Sequence, residues 1–140
     1  MKIILFLMLM TISCFSSQLE FDFKKLSDDD YNSLIEEYKD QEFKVPRKIG
    51  ICRHCEINEH FAVFSQESGS GMWVYNIYIL VSLKKGEWKE VLHCVYSTAE
   101  PKKEPRKVRF ENNVISVLTG KDKFLTSFDV SDVLDQINNK

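Results

Sequence analysis

The chain has 140 residues, is 44% hydrophobic and 12% aromatic, and carries a formal charge of −2. That apolar content excludes a disordered chain. The length fits a single domain with a core of its own, with no dependence on staples for stability.

The N-terminus has three adjacent features. Lys2 is a short positive region, residues 3–12 form an almost unbroken apolar run, and Ser13, Cys14, Ser16 and Ser17 are small or polar. This order predicts a secretory signal over residues 1–16 and a mature domain over residues 17–140. The run is about half the length that a membrane-spanning helix needs, about 20 residues. Thr11-Ile12-Ser13-Cys14 also resembles the bacterial lipobox, with threonine where that motif carries leucine. The resemblance implies an acylated Cys14 as a second route, and with it a lipid anchor as the contact with a membrane. The expected location is periplasmic or secreted in either case.

In chain order, Leu19, Phe21 and Phe23 alternate in a lead-in that reads as an edge strand or a tether. A helix is predicted over residues 28–41: Ser27 caps it, three aspartates sit on the positive end of its dipole, and Tyr31, Leu34, Ile35 and Tyr38 share one face. From residue 60 the period becomes two. Strands are predicted over 60–66, 72–83, 87–97, 107–111, 114–119 and 124–128, with turns at 68–71, 84–86, 112–113 and 120–123. Ser131 is read as the cap of a short helix over 132–137. The pattern predicts an α+β fold: an N-terminal helix packed on an antiparallel β-meander sheet of about five to six strands, with a short C-terminal helix. The alternative is a small β-barrel.

Charge is unevenly placed. Residues 20–42 hold nine acids and three lysines, whereas residues 102–109 hold five basic residues and one acid. Lys102, Lys103, Arg106, Lys107 and Arg109 form the candidate binding patch, with Pro101 and Pro105 stiffening the loop and Trp73 or Trp88 as aromatic companions. The run lacks aromatic interleaving and a nucleic-acid-binding motif, so the expected partner is a protein.

Cys52, Cys55 and Cys94 remain after either processing route. An odd number of thiols in an oxidising compartment predicts one disulfide, from Cys94 to Cys52 or Cys55, and one thiol left over. Cys52-Arg53-His54-Cys55 has the spacing of a redox dithiol but lacks a following helix and a βαβ setting. Cys52, Cys55, His60 and Cys94 are weak candidate zinc ligands, with His93 and Cys94 adjacent and therefore on opposite faces of a strand. Zinc is the cofactor such a set would take; no other cofactor is indicated. Haem attachment is excluded because Glu56 follows Cys55. No nucleophile elbow, Walker loop or Rossmann loop is present. These features lead us to expect a small exported, non-enzymatic interaction protein, such as an inhibitor, an immunity protein or an accessory binding module. The alternative is a thiol-redox or zinc-dependent envelope protein using Cys52 and Cys55.

Overall fold

The computed structural model describes residues 18–68, 72–84, 86–99 and 103–139. The proposed signal, Cys14, the glycine turn at 69–71, Pro101 and Lys102 lie outside the described residues. Eleven elements follow one another: β1 (Leu19–Asp22), β2 (Lys24–Lys25), α1 (Asp28–Tyr38), β3 (Cys52–Glu56), β4 (Phe61–Ser68), β5 (Trp73–Ser82), β6 (Trp88–Thr98), β7 (Pro105–Glu111), β8 (Val114–Thr119), β9 (Phe124–Asp129) and α2 (Ser131–Asn138).

Strand residues place alternate side chains on opposite faces, and β4 and β5 are apolar on both. Phe61 and Val63 of β4, with Ile77, Ile79 and Val81 of β5, form one buried cluster. Ala62 and Phe64 of β4, with Tyr78 and Leu80 of β5, belong to a second. A sheet built on these strands has two faces to cover. Two antiparallel sheets result. One has five strands in the order β2-β3-β4-β5-β6, and the other has four in the order β1-β7-β8-β9.

The four-stranded sheet covers the first face, contributing Val108, Ile115 and Val117 to the shared core, with Val133, Leu134 and Ile137 of α2 packed against it. Helix α1 covers part of the other face with Leu34 and Tyr38, joined by Phe43 from the segment that follows. The helix start is a capping box. Ser27 Oγ accepts from Asp30 N at 3.1 Å, and an Asp30 carboxylate oxygen accepts from Ser27 N at 3.3 Å. The Tyr31 hydroxyl donates to the Pro46 carbonyl at 2.6 Å and holds down the strap over residues 40–46.

One extended segment joins the two sheets. Leu19 pairs with Phe110 and Asp22 with Lys107 in the first, then Lys24 pairs with His54 and Lys25 with Arg53 in the second. At the junction Phe23 N donates to the Arg106 carbonyl at 3.0 Å. Gly50 has φ +144°, and a Cβ there would lie 2.3 Å from the Glu67 carbonyl oxygen, so only glycine fits this close approach.

Several expectations are corrected. The single meander is two sheets, because β7 to β9, joined by β1, fold back over the sheet of β2 to β6. The barrel alternative fails, since β9 stands beside β6 without pairing to it. The cysteine segment, outside every predicted element, forms strand β3. Helix α1 ends at Tyr38, short of residue 41, where the Gln41 side chain leaves to accept from Trp88 N. Val130, not Ser131, is the cap position of α2; Ser131 instead donates N–H and hydroxyl to Asp129 at 2.9 and 2.6 Å. The hairpin at Asn112 and Asn113 is as expected, with φ of 52° and 61°.

Two substitutions separate the contributions of core and cap. Ile79→Ala should cost about 2–5 kcal/mol, as for a fully buried aliphatic side chain, and Ser27→Ala about 1 kcal/mol. Urea denaturation of the two variants reads the difference.

Candidate functional site

Of the predicted basic patch, Arg106, Lys107 and Arg109 lie on β7, an interior strand of its sheet, with β1 on one side and β8 on the other. Its backbone is therefore committed. Arg109 Nη2 lies 2.9 Å from Glu20, with its guanidinium over the Phe124 ring. Lys107 reaches Asp122 at 3.4 Å, and Arg106 reaches Glu104 at 2.6 Å. The fold thus sets a carboxylate beside each of these three cations, and the positive field expected from the sequence is largely offset within the molecule. Lys103 is described and has partners of its own.

The three described cysteines are free thiols. Cys52 packs in the cluster under α1, while Cys55, three residues on, packs in the core between the sheets. The odd spacing points the two side chains to opposite faces of β3. Cys94 lies on β6, with β4 and β5 between it and β3. Three strand spacings amount to about 14 Å, against a Cα separation of at most about 7 Å in a disulfide. The expected bridge from Cys94 to Cys52 or Cys55 is corrected accordingly. Burial pushes the Cys55 thiol up to about 11, with Asp22 and Glu56 adding to the shift, and burial also raises Cys52. Both effects oppose thiolate formation, so the dithiol geometry and electrostatics are absent.

The proposed zinc ligands are no better placed. His60 sits at the start of β4 with Nδ1 2.7 Å from the Ser82 carbonyl, and it does not converge with Cys52, Cys55 or Cys94. His54 is half-buried beneath α1, its Nε2 3.4 Å from the Tyr38 hydroxyl.

Two concavities lie elsewhere, along the start of β6. The strap over residues 40–46 is fastened across it: Trp88 N donates to Gln41 Oε1 at 2.8 Å, and Phe43 N donates to the Trp88 carbonyl at 3.2 Å. A cavity of about 410 Å³ opens on one side, against Gln41, Leu83, Lys84 and Trp88. A second, of about 530 Å³, opens on the other, against Phe43, Pro46, Tyr78, Leu92 and His93. Glu42 borders both. The two concavities flank the strap, which the bonds of Gln41 and Phe43 tie to Trp88.

The His93 ring stacks on Tyr78 with centroids 4.2 Å apart and planes 13° apart. Its Nε2–H donates to Asn76 Oδ1 at 3.1 Å, which leaves Nδ1 turned toward Glu90 at 3.9 Å. Burial, then Glu90, raises the Tyr78 phenol.

Sequence reading missed a second polar assembly, inside the sandwich. Arg53 and Glu67 are both nearly fully buried and lie 3.1 Å apart, and Arg53 also reaches Glu104 at 3.3 Å. Between two cysteines of an apparent motif, Arg53 carried no signal of its own; β-alternation would have placed it on the Cys55 face. Searches against protein-family models, curated proteins and solved structures give no match for this chain.

Two measurements check this electrostatic and thiol assignment. Burial, then Lys24, lowers the His54 pKa from 6.5 to about 4. The unfolded chain takes up a proton near pH 6.5 that the folded chain refuses until about pH 4. Stability should therefore fall as pH drops through that window, by on the order of 3 kcal/mol in all, and His54→Gln should flatten the slope. In iodoacetamide labelling of native, unreduced protein, Cys94 should react slowly while Cys52 and Cys55 react only after unfolding. A mass two protons short of the all-thiol form would contradict the assignment.

Proposed function

We propose that the protein is a small exported, non-enzymatic interaction module that binds a segment of a protein partner at the two concavities flanking the strap. The observation carrying this reading is that pair of concavities, both bordered by Glu42. Their walls offer Phe43, Pro46, Tyr78 and Leu92 for apolar side chains, and Glu42, Glu90, Lys84 and Lys89 for polar ones. Stacking on Tyr78 and the bond to Asn76 pre-set His93, which lowers the ordering cost of binding. Export rests on the three-part layout of residues 1–16.

The basic strand serves in this reading as a scaffold whose charges are matched by Glu20, Asp122 and Glu104. The two surfaces are separated by photo-crosslinking from a benzophenone amino acid placed at His93 or at Lys107, with the protein incubated in envelope extract or culture fluid. Adducts to one defined protein are expected from position 93 and none from position 107. Adducts from 107 alone would return the binding site to the basic strand, against this proposal.

A further inference from the structure

The two sheets have four edge strands, and three of them carry protection against pairing with another chain. Strand β2 is two residues long and both are lysine. Strand β1 has four residues and bears Glu20 and Asp22. Strand β9 is broken by a bulge at Leu125, since Val117 pairs with Thr126 but Leu118 with Phe124. Strand β6 is the exception. Its eleven residues begin under the strap at Trp88, pass the charged pair Lys89 and Glu90, and bulge at Val91, where Ile79 pairs with Leu92 but Leu80 with Glu90. Beyond the bulge the ladder with β5 is regular from Leu92 to Thr98. That half has neither proline, glycine, lysine nor carboxylate, and its central residue, Val95, is 61% exposed.

We propose that β6 pairs antiparallel with β6 of a second copy about a twofold axis at Val95, joining the two five-stranded sheets into one continuous sheet. An isologous contact requires a surface complementary to itself, and this register provides one. Val95 faces Val95, Cys94 faces Tyr96, and His93 faces Ser97, each pair on the same face of the sheet. Val95 is the midpoint of the regular run, so this register uses all of it. Shifting the axis to His93 would oppose two imidazoles and require Trp88, whose N–H and carbonyl the strap already holds. The charged residues Lys89 and Glu90 stay outside the paired stretch, so no like charges meet. The pairing buries the exposed Val95 and satisfies the outer backbone groups of residues 93–97. It goes beyond the proposed function, and the paired stretch meets the second concavity only at Leu92 and His93.

Directly opposed Cα atoms in an antiparallel pair are about 4.5–5.5 Å apart, inside the window for a disulfide. Ser97 would lie about 13 Å from Ser97 of the second copy along this ladder. The test uses the purified protein, light scattering for mass, and diamide as thiol oxidant in a Cys94→Ser background. Expected are a mass twice that of one chain for the wild type, a covalent dimer from Val95→Cys, and none from Ser97→Cys. Val95→Asp should give folded monomer by circular dichroism and light scattering. A wild type that stays monomeric at all concentrations, with Val95→Cys uncrosslinked, would overturn the proposal. So would a dimer that crosslinks through Ser97→Cys as readily as through Val95→Cys. The cysteine crosslinks keep the test decisive even if Val95→Asp fails to fold.

Discussion

The rest of the structure depends on burial of the five-stranded sheet from both sides. Strands β4 and β5 present Phe61, Val63, Ile77 and Ile79 on one face and Ala62, Phe64 and Leu80 on the other, all nearly or fully excluded from solvent. Leaving either face wet would expose several large side chains, each worth about 1.5–3 kcal/mol on burial. One layer cannot cover both faces, so the chain provides two: α1 with its strap on one side, and β1, β7, β8 and β9 with α2 on the other. The order of elements follows from this need. In the chain, β1 and β2 come first, one for each sheet; α1 and then β3 to β6 follow, and β7 to β9 complete the second sheet.

The same constraint separates the two halves of the cysteine motif. A pair spaced like Cys52 and Cys55 converges when it opens a helix, but on a strand buried from both sides it is divided between two cores. Each thiol then behaves as a small apolar side chain, and desolvation raises its pKa. It also accounts for the buried charge. At one end of the sandwich, inward-facing positions are occupied by Arg53 and Glu67, and at such depth neither is tolerated without the other. Ser65 Oγ and the Tyr75 hydroxyl, on the same inner face, have no partner among the described residues. Burial, with Glu67 and Glu104 contributing, pushes Tyr75 up to about 12.

Much of the fold was legible in the sequence where periodicity was long and unbroken. The capping residues of α1 and the apolar face Tyr31, Leu34 and Tyr38 located the helix start, and the ten-residue strand β5 announced itself by alternation. The hairpin at Asn112 and Asn113 was readable because asparagine tolerates positive φ. Strand β3 was not, because its five residues Cys-Arg-His-Cys-Glu carry a motif that draws attention from their alternation. The division into two sheets was hidden as well, since pairing between β1 and β7 joins residues some ninety positions apart. For the site, local reading found basic residues but not their partners. Glu20, Asp122 and Glu104 are brought to Arg109, Lys107 and Arg106 only by tertiary folding. His93 drew notice only as the strand neighbour of Cys94, and the strap beside it has no sequence pattern of its own.

Hydrogen exchange of backbone amides under native conditions tests the two-sided burial most directly. If β4 and β5 are the centre on which both covering layers depend, their amides should be the slowest in the protein and should exchange only through global unfolding. Those of β1, β9 and α2 should exchange faster, by local opening. Amides of β4 and β5 that exchange as fast as those of β9, or well before β7 and β8, would contradict the account, because the four-stranded sheet would then be the more stable unit.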